Sequence, residues 1–168
     1  MMSRMETESF QDVLASLAQT PAKLSHLIEG ISVQNLRMKN SADEFSAVEH
    51  ICHLRDIEVE GYSDRILRLL HEKQPVLPDI DGSWLAIERD YNNQDAAQAL
   101  EEFVAARTRN VDILRELNPE KLARGGTLEG VGAISLERLL EMMNEHDEEH
   151  INELQIIRRR IARAVDSA

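Results

Sequence analysis

Six histidines, His26, His50, His53, His71, His146 and His150, are the side chains of this 168-residue chain best suited to chemistry, and two of them form a pattern. In Asn144-Glu-His-Asp-Glu-Glu-His150 the two imidazoles are four residues apart, about one helical turn, so on a helix both leave one face and can converge on an ion. On a wheel with Leu136 at zero and ~100° per residue, His146 falls near ~280° and His150 near ~320°. That is the sector of Leu140, Met143, Leu154 and Ile157. Both imidazoles are therefore expected to point inward.

A single inward histidine, as at His26, is ordinarily a satisfied core residue. Two on one buried face would lose several kcal/mol of hydration without partners, and a shared metal satisfies both at once. The string also resembles the zincin pattern His-Glu-x-x-His. Here Asp147 replaces the general-base Glu and no histidine follows His150, which argues against a zincin protease. A di-iron bundle would need two facing Glu-x-x-His motifs, and the last helix offers only Asp147-x-x-His150. A third ligand must come from upstream, where His50 and His53 lie three apart; residue type alone does not choose between them.

The elements that must position these side chains read as helices. Apolar residues from Phe10 to Ile28 recur at helical spacing, with Thr20-Pro21 marking one kinked helix or two in tandem. Ser32 to Glu44 has no sustained period and reads as a loop or short extra helix. Ser46 with Glu49 three residues on is a capping box opening a helix to about Lys73, its stripe Val48, Ile51, Cys52, Val59, Tyr62, Ile66, Leu69 and Leu70. Pro75 and Pro78 mark Gln74 to Ser83 as a connection, and Trp84 to Tyr91 as a short helical piece. A third long helix is predicted from Asp95 to Leu117, with Ile113 among its apolar positions and Asn118-Pro119 ending it. Gly125 to Gly132 reads as a glycine-rich loop with at most a short extended segment. Ser135 caps the last helix, to about Val165. The fold class is all-α, a four-helix up-down bundle or a variant of it, as a single domain over 1–168.

Two segments also resemble a known family. Phe45-Ser-Ala-Val-Glu-His-Ile-Cys-His-Leu-Arg-Asp-Ile-Glu58 is similar to the DinB-family signature, in which an aromatic residue and Ser or Thr precede a helix bearing His-Leu-x-Asp. His146-Asp-x-x-His150 followed by Ile151 resembles that family's second signature, on its fourth helix. Tyr91, Ala96 to Phe103 and Arg107 stand where the family's third-helix segment is expected, and Gly130 to Ser135 precede the last helix. Phe45 replaces the more frequent Trp. In the family pattern the ligand follows the aromatic residue by eight positions, so the resemblance selects His53 and leaves His50 as its neighbour. It implies a DinB-like bundle holding one divalent transition metal on His53, His146 and His150, a donor set of neutral imidazoles that suits Zn, Ni, Fe or Mn.

Three protein ligands leave coordination positions open, the arrangement of a catalytic or sensing site rather than of a closed structural zinc. Asp56, which belongs to the signature, Asp147 and Glu149 are candidates to accept the second N–H of a ligand imidazole. No catalytic residue is assigned. Cys52 points ~100° away from His53 and is not expected to act as a nucleophile. The resemblance implies chemistry on a small-molecule substrate, since characterised DinB-like proteins include metal-dependent transferases of low-molecular-weight thiols. A non-catalytic metal- or ligand-binding or sensing module is the alternative, and histidines engaged only in buried hydrogen bonds a third reading.

Composition limits the partners. Lys plus Arg number 19 against 31 Asp plus Glu, a formal charge of -12, which repels a phosphate backbone and argues against nucleic acid. The run Arg158 to Arg160 near a helix C-terminus complements the helix dipole. No long apolar run suggests a membrane span, and the opening residues lack the apolar core of a signal peptide. The single Cys52 suits a reducing compartment, so a cytoplasmic location is expected. Apolar positions on more than one face of the first and third helices suggest a homodimer.

Overall fold

A computed structural model describes residues 4–167 of the chain. Its order is α1 (Arg4–Ile28), α2 (Val33–Leu36), α3 (Ala47–Asp56), a π-helical turn (Ile57–Tyr62), α4 (Ser63–His71), β1 (Val76–Leu77), α5 (Gly82–Glu88), α6 (Ala96–Arg115), β2 (Gly125–Leu128), β3 (Gly132–Ser135) and α7 (Leu136–Asp166). Short 3-10 turns occupy Tyr91–Asn93 and Pro119–Ala123. The π turn joins α3 to α4, so four long helical rods form the bundle.

Contacts along the rods give their directions. Thr20 meets Asp147 and the Leu27 carbonyl meets Arg158, so α1 and α7 run parallel. His50 meets His150 and His53 meets His146, so α3 and α7 are antiparallel. Arg55 pairs with Glu102 and Glu58 with Arg107, so α3 and α6 run parallel. The order is thus up-down-down-up, with α1 packed on α6 and α7, and α3 on the same two. Parallel neighbours cannot be joined by a tight loop, so the chain needs a long crossover from α4 to α6. That crossover is Glu72 to Asp95, and it carries β1 and α5.

Local signals explain most helix boundaries. Ser46 and Glu49 form the expected capping box: Ser46 Oγ accepts from Glu49 N–H at 3.2 Å, and Glu49 Oε2 accepts from Ser46 N–H at 2.7 Å. Asp81, Asp95 and Ser135 cap α5, α6 and α7 with their side chains. Pro21 lies inside α1, which is one helix rather than two. Its missing N–H leaves the Leu17 carbonyl without its helical donor, and Arg107 Nη1 supplies one at 3.1 Å.

Four expectations are corrected. His26 is not an inward core residue but lies exposed on α1. Helical spacing puts Val59 on the inward stripe, but it is exposed, because the wider π turn advances fewer degrees per residue and brings Glu58 inward instead. Ile113 is on the outer edge of α6 rather than in its core. Gly125 to Gly132 belongs to a hairpin: β2 pairs antiparallel with β3 and parallel with β1, giving a three-stranded sheet at the end of the bundle where α7 begins. Strands this short, built on glycine, carry too few side chains to show alternation. Among the described residues no helix is long and apolar enough to cross a membrane.

The interior is layered. One apolar cluster gathers Leu24, Ile51, Phe103 and Leu154, and another Leu17, Ile66, Leu114 and Leu140. Between them lies a polar band of His53, His146, His150, Thr20, Glu58, Arg107, Asn110 and Asp147. The cap at Ser46 fixes where α3 enters this band, and its Oγ also donates to Asn92 Oδ1 at 2.5 Å. Ser46→Ala is expected to cost about 1–2 kcal/mol, read as a lower urea midpoint at an unchanged m-value.

Candidate metal centre

The antiparallel pair α3 and α7 brings the imidazoles together. His53 Nε2 lies 3.0 Å from His146 Nε2, which lies 3.1 Å from His150 Nε2. The donor atoms of all three fall within 4.8 Å of one another. Two nitrogens bound ~2.1 Å from one ion at about 90–110° would be about 3.0–3.4 Å apart, so the His53–His146 and His146–His150 spacings fit a shared ion. The alternative of hydrogen bonds alone fits less well. Each Nε2 has either a lone pair or a proton, and the single in-plane valence of His146 cannot serve both neighbours.

Burial tunes these groups toward ligation. Desolvation lowers His53 and His50 to about 4, with the neighbouring imidazoles adding to the effect at His53. It lowers His150 furthest, to about 2, and lowers His146 as well. All are therefore neutral near pH 7, the state in which an imidazole offers its lone pair.

The surroundings orient the rings. His50 Nδ1 lies 2.8 Å from His150 Nδ1. With His150 presenting Nε2 as a lone pair, its Nδ1–H donates to His50, whose own proton then sits on Nε2. His50 is thus the partner of a candidate ligand's second nitrogen, a role its spacing from His53 did not show. His53 packs against Gly82, the first residue of α5. A Cβ there would land on Cε1 and Nδ1 of the imidazole, so only glycine leaves room for the ring. His53 Nδ1 is buried and has no hydrogen-bond partner among the described residues. Phe45 lies edge-on to His50, ring centroids 5.4 Å apart, and 5.7 Å from His53.

The acidic candidates stand elsewhere. Among the described residues, the hydrogen bonds of Asp56 go to Arg55, Arg89 and the Tyr91 hydroxyl, none to an imidazole. Burial would raise this carboxyl, but those three donors hold it below the usual range. Asp147 is buried and accepts from Thr20 and Arg107, again not from an imidazole. Glu149 is exposed, on a cleft of about 270 Å³ that reaches His50 and His150 between Phe45, Glu153 and Arg160. A larger groove of about 640 Å³ lies between α1, α2 and α6 and contains none of the histidines. Cys52 is fully buried beside the Tyr91 carbonyl and Gln94, and desolvation pushes its thiol up to about 11, unsuited to nucleophilic work.

The family model of the DinB superfamily matches residues 16–154, which include every residue of the candidate centre. The chain belongs to the DinB superfamily. Its fold is also that of YfiT from Bacillus subtilis, described as "a probable metal-dependent hydrolase with an unusual four-helix bundle topology". The two share 21% identity at a TM-score of 0.86, over 96% of this chain and 91% of that one. Comparison with curated proteins gives no match. In this DinB-superfamily bundle the up-down-down-up order accounts for where the candidate centre is covered, since the crossover lays Gly82 against His53.

Two outcomes follow for this centre. The unfolded chain takes up protons on its histidines near pH 6.5 while the folded, metal-free chain keeps His50 and His53 neutral to about 4. Stability is therefore full above pH 6.5 and falls as the pH drops through the window toward 4. Thermal midpoints of chelator-treated protein between pH 7.5 and pH 4 check this; a flat profile contradicts it. Gly82→Ala should displace the His53 ring and weaken metal binding roughly 10–100-fold with the helical content unchanged by circular dichroism.

Proposed function

We propose that this protein is a metal-dependent enzyme in which His53, His146 and His150 hold one divalent transition metal that activates water, or a low-molecular-weight thiol, for attack on a small electrophile. The convergence of three neutral Nε2 atoms carries this reading. Zn, Ni, Fe and Mn all accept such a donor set, and three protein ligands leave positions open. A bound ion would supply Lewis acidity, lowering the pKa of water or thiol so that a nucleophile is present at neutral pH.

The chain's own residues supply binding and orientation. His50 holds the His150 ring through the Nδ1 contact, and Gly82 and Phe45 confine the His53 ring. The cleft beside His50 and His150 is bordered by Asp43, Glu44, Glu149 and Glu153 against one Arg160. Such a mouth favours neutral or cationic substrates over anionic ones. That favours water over the common anionic thiols, in keeping with a structural neighbour described as "a probable metal-dependent hydrolase". Thiol transfer is the second reading, supported by the likeness of both histidine motifs to the signatures of a family whose characterised members include thiol transferases.

Metal analysis of protein purified without an affinity tag tests the centre. About one metal per chain is expected, reduced at least tenfold by His150→Ala. Loaded protein should then be assayed on uncharged esters and amides, and with cellular thiols and chlorodinitrobenzene. Product in the first set supports hydrolysis and in the second thiol transfer. A thermal shift with a small molecule but no product in either set marks a binding module instead. Substoichiometric metal that is unchanged by His150→Ala overturns the proposal.

A further inference from the structure

The histidines sit on α3 and α7, yet one side chain from a helix that carries none of them grips both. Arg107 of α6 is 1% exposed. Its Nε and Nη2 each donate to a different oxygen of Glu58 at 2.8 Å, and Nη1 and Nη2 donate to Asp147 at 2.5 and 2.9 Å. The remaining Nη1 hydrogen goes to the Leu17 carbonyl at 3.1 Å. All five N–H donors of the guanidinium are engaged, two carboxylates being held bidentately. Burial alone would lower the proton affinity of Arg107, but Glu58 and Asp147 outweigh it and keep the group charged.

The places of the two carboxylates matter. Asp147 follows His146 directly, and Glu58 stands in the π turn one wide turn after His53. Leucine and isoleucine packing tolerates small axial slips between helices, whereas a two-pronged ion pair does not. A slip of α7 by one residue rise, ~1.5 Å, would break a fork. It would also part the Nε2 atoms by a comparable distance, beyond what metal–nitrogen bonds accept.

We infer that Arg107 is a positioning residue for the metal centre: its paired forks on Glu58 and Asp147 fix the axial register at which His53 meets His146 and His150. This rests on the reading of the three histidines as metal ligands. The role explains why a buried three-charge cluster stands beside the imidazoles, where apolar packing would serve stability as well.

Cobalt(II) binding to metal-free, full-length protein provides the test, followed by its visible absorption, together with circular dichroism. Arg107→Lys keeps the charge and loses the fork; Arg107→Gln loses both. Positioning predicts that each folded variant binds cobalt 10–100-fold more weakly and with an altered absorption band. Electrostatics alone predicts the opposite for Arg107→Gln, because removing a buried positive charge favours a cation, and no change for Arg107→Lys. A merely structural role lowers the melting temperature and leaves the spectrum as it was. Wild-type affinity and spectrum in folded Arg107→Lys overturn the inference, and that variant decides alone if Arg107→Gln does not fold. Should wild-type protein itself bind no cobalt, the three-histidine reading fails, and the inference with it, a result distinct from binding that is indifferent to Arg107.

Discussion

A fully buried guanidinium between two carboxylates ties the four rods of this bundle together. Arg107 reaches Glu58 on the second rod, Asp147 on the fourth and the Leu17 carbonyl on the first, so all four rods meet at one group. Asn110 and Thr20 complete it, donating to Glu58 at 2.8 Å and to Asp147 at 2.7 Å. Charges so placed are costly to bury and costlier still to leave unpaired, so the helices can close only in the arrangement that satisfies every donor and acceptor. Two apparent irregularities are parts of that arrangement. Pro21 frees the carbonyl that takes the fifth donor, and the π turn swings Glu58 inward.

The polar band divides the core into two apolar clusters, and the histidines occupy the same band. This is where α3 and α7 run antiparallel, so residues three apart on one helix face residues four apart on the other, giving the His50–His150 and His53–His146 contacts. The low dielectric of the band keeps the imidazoles neutral, as ligands need to be. Burial in the apolar cluster of Leu24 and Ile51 raises the thiol of Cys52, which leaves that residue as packing.

Topology decides how the site is covered. In an up-down-up-down bundle each connection is short and stays at one end. Here the second and third rods are parallel, and the chain must travel the length of the bundle between them. It does so past His53, where Gly82 begins α5, and on to Tyr91 and Arg89, which hold Asp56. The signature aspartate therefore organises the crossover beside the site.

The helices can be read from the residues alone, because their signals are local: the capping box at Ser46 and Glu49, the cap at Ser135, and apolar spacing at 3.6 residues. Spacing also places His146 and His150 on one inward face, since four residues make one turn. The choice of His53 over His50 came from a resemblance and not from spacing. The rest depends on how the four rods pack. The rod directions, the contact of His50 with His150, the bonding of Asp56 to Arg89 and of Asp147 to Arg107, and the meeting of Arg107 with Glu58 join residues far apart in the chain. A wheel drawn for a regular helix cannot anticipate a π turn, which is why Val59 was expected inside and Glu58 was not. Local periodicity reports which way a side chain faces its own helix; which partner waits there is set by the packing of the other three.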